Sequence, residues 1–176
     1  MSGYTKFAVV GAGSIGCYII QQLLKDKAVG NVQEVIVLTR QVHYLSNNQV
    51  VRDVLTTTLA VDTKGPKATV QGDAKVIQVD YDNEVSIKHA LTGVDVVIST
   101  VPITVLDVQK KIAAAAKEVD VKLFVPSEYG TVSEGATKGV PEEKANIQGH
   151  LKALGMPYAA FYTGMWADYI WESYVS

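Results

Sequence analysis

A single cysteine, Cys17, stands in the 176 residues of this chain, so no intrachain disulfide can form and a reducing compartment is implied. Set inside the first amphipathic segment, it reads as a small buried apolar residue rather than a nucleophile. Histidine is equally sparse. His43, His89 and His150 lie far apart, and with one thiol they offer no metal-ligand spacing, so no metal is expected. No block of lysine or arginine offsets the formal net charge of −2, which removes the electrostatic footprint that nucleic acid or an anionic membrane requires. No apolar run is long enough to span a bilayer. MSGYTKFAVV enters an apolar strand without a charged leader and apolar core, so neither signal nor transit peptide is expected and the cytoplasm is the default location. What is present, 48% of it hydrophobic, is enough for one core, and residues 1–176 read as one domain.

The chain is organised around KFAVVGAGSIGCYIIQQ, residues 6–22. An apolar run from Phe7 to Val10 breaks into Gly11, Gly13 and Gly16, and Ile15, Ile19, Ile20, Leu23 and Leu24 follow at helical spacing. Strand, tight turn and helix in that order give each glycine a physical task if a dinucleotide binds. Gly11 lets the chain turn, Gly13 lets main-chain N–H groups approach a pyrophosphate, and Gly16 lets the helix lie close to the strand. The phosphate would rest on the helix start at Ser14 and Ile15, where N–H groups are unpaired and the dipole is positive. A glycine-rich turn that binds nothing is the plainer alternative.

A second buried strand, Glu34 to Leu38, ends in Thr39 and Arg40, with no carboxylate. An acidic side chain at that position accepts from a ribose 2′-hydroxyl, whereas a guanidinium favours a 2′-phosphate. NADP (as NADPH) is therefore expected in preference to NAD. Residues 41–75 mix β-branched runs with Gly65-Pro66 punctuation, compatible with a short helix and a hairpin. The parallel pattern resumes at Val76 to Val79, ending in Asp80-Tyr81, followed by an Asp82/Asn83 cap, a helix about Glu84 to Leu91, and a strand Asp95 to Ser99 that ends in Thr100-Val101-Pro102. Val105, Val108, Ile112, Ala115 and Val119 mark the inner face of the next helix, and a fifth strand, Val121 to Val125, runs into Pro126-Ser127-Glu128-Tyr129-Gly130. Near-continuous apolar strands alternating with helices predict a doubly wound parallel α/β sheet, Rossmann-like, of about six strands. In such a sheet the turns at Gly11, Arg40, Asp80, Thr100 and Ser127 converge on one crevice.

Beyond the loop from Gly130 to Gly139, Pro141 suits the first helical position, Glu142 and Glu143 the first turn, and Gly155 the C-terminal cap. The stripe Ile147, Leu151, Leu154 extends backwards to Lys144, which should face the protein body near the helix start. Partial burial and the helix dipole would both disfavour its ammonium form, leaving it able to bond a nicotinamide ribose or to act as an acid or base. The alternative is a lysine whose head reaches water or pairs with Glu143. A sixth strand, Pro157 to Tyr162, is expected. Six of the chain's fourteen aromatics then fall between Phe161 and Tyr174, and they pack on the cleft, contact another chain, or begin a region absent from the sequence. A homo-oligomer or a protein partner through this aromatic end is the partner expectation besides a small-molecule substrate.

Together GAGSIG at 11–16, VLTR at 37–40, VDVVISTVP at 94–102, FVPSEYG at 124–130 and Lys144 ahead of GMPY at 155–158 resemble the isoflavone reductase-like and NmrA-like branch of the atypical short-chain dehydrogenases. The resemblance implies NADPH as cofactor, with Arg40 at the 2′-phosphate, Asp80 and Tyr81 beside the adenine, Thr100, Val101 and Pro102 lining the cofactor, and Ser127 to Tyr129 beside the nicotinamide. It implies catalysis by Lys144. The Tyr-x-x-x-Lys dyad of short-chain dehydrogenases is missing, since Ser133 stands four residues after Tyr129. That excludes the tyrosine-acid mechanism and leaves the lysine variant. Family members are much longer, so most of the substrate-binding C-terminal part is expected to be lacking, in a shortened relative, a fragment or an edited form. Three functions follow: an NADPH-dependent reductase of a small aromatic or enone-like substrate, a non-catalytic NADP-binding regulator, or an inactive fragment.

Overall fold

The computed structural model describes residues 3–40 and 74–166. Most of the 41–75 stretch, with His43, and the last three aromatics of the C-terminal cluster lie outside them. The first element is β1 (Lys6–Val10), followed by α1 (Ser14–Ala28), β2 (Glu34–Thr39), β3 (Lys75–Gln78), α2 (Glu84–Leu91), β4 (Val96–Ser99), a 3-10 turn at Ile103–Val105, α3 (Val108–Glu118), β5 (Leu123–Val125) and α4 (Gly139–Ala153).

Every strand pair is parallel, in the order β3-β2-β1-β4-β5. This is the doubly wound arrangement, with the chain reversing direction across the sheet between β1 and β4. Alternate residues of β1 separate the two sides. Ala8 and Val10 pack with Ile87, Ile112, Ile147 and Leu151 of α2, α3 and α4, while Val9 packs with Ile20 and Leu24 of α1. Both faces are covered, which is why the strands read as unbroken apolar runs. In register, Val10 stands opposite Leu38 and Ser99, and Leu38 opposite Ile77, so the carboxyl ends share one edge.

Two expectations are adjusted, and one of two cap candidates is selected. The segment 157–162 forms no ladder, only a parallel bridge between Phe124 and Tyr158. β5 is three residues long, and Pro126 and Pro157 have no N–H to donate, so the pairing stops at Phe124 N to Pro157 O (2.9 Å) and Ala159 N to Phe124 O (3.1 Å). Among the described residues the sheet therefore has five strands. α4 starts at Gly139 rather than Pro141. Proline is tolerated there too, because the first four N–H groups of a helix have no intrahelical acceptor. The cap before α2 is Asn83, whose side chain accepts from Ser86 N at 3.2 Å.

The amino edge of the sheet is clipped by Asp95, whose carboxylate accepts from Thr5 N at 2.9 Å and Lys6 N at 3.0 Å. The bond from Thr5 N leads in holding this carboxyl below its usual range, against partial burial. Replacing Asp95 with alanine is expected to cost about 1–3 kcal/mol, measured as a lower urea midpoint at unchanged slope. Because the folded-state value is depressed, the native advantage is present above the ordinary aspartate range, about pH 3.9, and is lost as pH falls below it. The two proteins should therefore converge in acid.

Candidate functional site

At the carboxyl edge lies a crevice of about 1630 Å³, floored by the glycine turn and walled by the loops after β2, β3, β4 and β5. Its size exceeds the few hundred to about 1,000 Å³ typical of a compact small-molecule pocket and suits an extended ligand. Gly11, Gly13, Ser14, Ile15, Thr39, Arg40, Asp80, Tyr81, Thr100, Val101, Pro102, Ser127, Tyr129 and Lys144 all line it. Gly16 is the one sequence-predicted site residue that does not. It is buried beneath the turn.

The three glycines differ in what surrounds them. Gly11 has φ +92°, a backbone that side chains rarely adopt, and its N–H donates to Leu38 O at 3.2 Å. A Cβ at Gly16 would lie 2.3 Å from Gly11 O and 2.7 Å from Thr100 Oγ1. Nothing lies within 4 Å of the Cβ position at Gly13, which opens into the crevice. Gly13 also precedes α1 with no side-chain cap and no acidic residue in the first turn, so no capping side chain takes up the N–H groups there. Cys17 is buried one turn in, its thiol donating to Ala12 O at 3.1 Å, and burial pushes its pKa up, as expected of an inert core thiol.

Thr100 holds this floor together. Its hydroxyl shares one proton between Val10 O at 3.0 Å and Gly11 O at 2.9 Å, tying the end of β4 to the turn. On one wall, exposed Arg40 stands beside Tyr81, whose phenol is pushed up to about 12 by burial, with the arginine charge opposing. Asp82 completes that wall and pairs with Lys111 Nζ of α3 at 2.5 Å, a bond that holds its carboxyl below the usual range.

On the opposite wall the turn after β5 is built from buried polar groups. Ser127 N donates to Gln109 Oε1 at 2.8 Å and Ser127 Oγ to Val101 O at 2.9 Å. Lys144 lies on the inward side of α4, half-buried, and donates to the main-chain carbonyl of Glu128. This main-chain contact is one that the alternative reading, a head in water or paired with Glu143, did not include. Burial lowers its pKa and the Glu128 charge partly restores it. The helix dipole contributes less than expected, because with α4 starting at Gly139 the lysine falls beyond the first turn. Tyr129 has φ +36°, uncommon for a side-chain-bearing residue; Tyr129 N donates to Phe161 O at 3.0 Å, and Trp166 Nε1 to Tyr129 O at 2.8 Å. The buried Tyr129 hydroxyl has no partner among the described residues, and burial pushes its pKa up, keeping it neutral.

Sequence reasoning missed Gln109, Ser133 and Gln148, and had Glu128 only as part of the Ser127 to Tyr129 stretch, without a role of its own; all four are buried. The signal was available for two of them: Gln109 and Gln148 fall on the inward stripes of their helices, where an amide needs a partner. Phe161, Met165 and Trp166 are exposed. No group of side chains suited to a metal ion occurs among the described residues, and no helix there is long and apolar enough to cross a membrane.

A doubly wound parallel domain with an open glycine turn at its switch point is a dinucleotide-binding type of domain. The NmrA-like family model matches residues 4–176, and the chain belongs to that family. It is 35% identical to an isoflavone reductase homolog of Solanum tuberosum over 96% of this chain and 51% of that protein. It is 32% identical to an isoflavone reductase of Glycine max over 90% of this chain and 50% of that one. The solved structure of AtPrR2 with NADP+ and (+)pinoresinol superposes with a TM-score of 0.71 at 26% identity, covering 97% of this chain and 53% of that one. The chain thus spans about half the length of these relatives.

Replacing Gly16 with alanine sets a gain of about 1 kcal/mol in helix propensity against a backbone clash costing about 1–3 kcal/mol or more. The clash should win, because Gly11 O is main chain and cannot swing aside; a lower urea midpoint will show it. Thr100→Val should likewise destabilise, by about 1 kcal/mol, while Thr100→Ser keeps the donor and stays near native stability.

Proposed function

We propose that the crevice binds NADPH and that the domain serves an NADPH-dependent reductase acting on a small aromatic or enone-like substrate. The observation that carries the reading is the placement of an open, uncapped helix start at Gly13 and a guanidinium at Arg40 on one side of a single crevice, with a half-buried amine at Lys144 on the other. The site residues fit the cofactor. The space over Gly13 admits a pyrophosphate to the first N–H groups of α1, and Arg40 offers two donors to a 2′-phosphate where a carboxylate would repel it. Asp80 and Tyr81 would hold the adenine end, Thr100 to Pro102 the middle, and Ser127 and Tyr129 the nicotinamide end.

Bound there, NADPH would supply a hydride. Lys144 then holds the balancing proton, and its lowered pKa brings the amine nearer the pH at which proton transfer is efficient. The family relation and the NADP+ carried by AtPrR2 support the reading.

Fluorescence titration tests it. NADPH should bind more tightly than NADH; Arg40→Ala should weaken NADPH by roughly tenfold to a hundredfold, the loss of one charge-assisted contact, and leave NADH nearly unchanged. Gly13→Ala should keep native stability, since its Cβ meets nothing, yet lose affinity for both nucleotides. Failure of both nucleotides to bind would sink the cofactor assignment. Against a panel of aromatic enones and benzylic ethers, Lys144→Ala should reduce kcat by about 10²–10⁴. Tight NADPH binding without oxidation on any of them would favour a non-catalytic regulator.

A further inference from the structure

A carboxylate leaves water only where hydrogen bonds replace its hydration. Glu128 is 2% exposed, with Ser133 at 0% and Gln148 at 4%. Its Oε1 accepts from Gln148 Nε2 at 2.7 Å and its Oε2 from Ser133 Oγ at 2.9 Å. Gln148 Nε2 also lies 2.9 Å from Ser133 Oγ and 2.9 Å from Tyr162 Oη, closing a network. Gln148 and Lys144 are one turn apart on α4, so they share a face. That face therefore grips Glu128 twice, at its carboxylate through Gln148 and at its main-chain carbonyl through Lys144.

We propose that Glu128 is the positioning residue for Lys144: locked by Gln148 and Ser133, it fixes the 127–129 turn on α4 and keeps a negative charge beside the amine. A turn held at one point can rotate; held at side chain and main chain by the same helix, it cannot. Ser133, at the offset where the missing dyad would have its lysine, serves as a hydroxyl donor to this carboxylate. The inference rests on the reading of Lys144 as the group that moves a proton.

Other ionisable groups lie on α4 itself and on the elements packed against it. The loop after β5 brings the Glu128 charge and the Tyr129 phenol, α4 carries the exposed Glu142 and Glu143, and from α3 Lys117 reaches Gly155 O at the far end of α4. Of these, the Glu128 charge is the one that opposes burial at Lys144.

The test reads the amine directly. Modification of the full chain by acetic anhydride across a pH series, quantified for the Lys144 peptide by mass spectrometry, gives the titration midpoint without turnover. Glu128→Gln removes the charge and keeps the shape, and should lower the midpoint by about one pH unit, roughly tenfold more neutral amine at a pH below both midpoints. Combining Glu128→Gln with Gln148→Glu exchanges amide and carboxylate across one hydrogen bond and returns a charge one turn from Lys144. The midpoint should return to the native value. A folded Glu128→Gln protein with an unchanged or raised midpoint overturns the proposal. If that variant does not fold, the exchange decides: a folded protein with the native midpoint supports the proposal, and a lowered midpoint or a second failure to fold overturns it. A native protein that never oxidises NADPH while Lys144 titrates as described would overturn the reductase reading and leave the positioning role standing.

Discussion

Helix α1 can lie against the end of β1 only because position 16 carries no side chain. The Gly11 carbonyl occupies the space a Cβ would need, and the Thr100 hydroxyl fills what remains. Three pieces of chain, the β1 end, the first turn of α1 and the β4 end, thus meet where each is the others' packing partner. A shift of any of them moves the main-chain N–H groups above Gly13. The crevice floor is for this reason made of backbone, which has no rotamers to lose when a ligand arrives.

The same contact explains why the rest of the sheet is arranged as it is. Thr100 N donates to Val10 O at 2.9 Å and Gly11 N to Leu38 O at 3.2 Å, so the pairing of β1 with β4 runs one residue past β4 and its pairing with β2 one residue past β1, into the turn itself. The loops that follow leave the sheet at one level. Arg40, Asp80 and Thr100 line one crevice as a consequence of parallel register.

Periodicity carried the reading far where burial was simple. β1, β2 and β4 are covered on both faces and appear as apolar runs, and α3 shows its inner stripe plainly. It failed where pairing depends on more than hydrophobicity. Residues 157–162 have the composition of a strand, yet a three-residue neighbour bounded by proline offers one bridge. The site divided in the same way. Gly11, Gly13, Arg40 and Lys144, which all line the crevice, were legible because each stands at a fixed offset from a strand or helix. Glu128, Ser133 and Gln148 act through one another, and three residues spread over 128–148 declare their partnership only when α4 is folded back on the turn.

That difference bears on how the two walls can work. On the Arg40 wall charge is exposed and its reach is set by solvent, so it can recognise a phosphate but cannot hold geometry closely. On the Lys144 wall, water is partly excluded, so burial lowers the amine pKa while the nearby carboxylate raises it. Opposed effects of this kind leave the amine sensitive to small changes in the turn. A strained Tyr129 backbone held by Phe161 and Trp166, and a carboxylate held by an amide and a hydroxyl, restrict those changes. Rigidity is placed beside the group whose protonation depends on it.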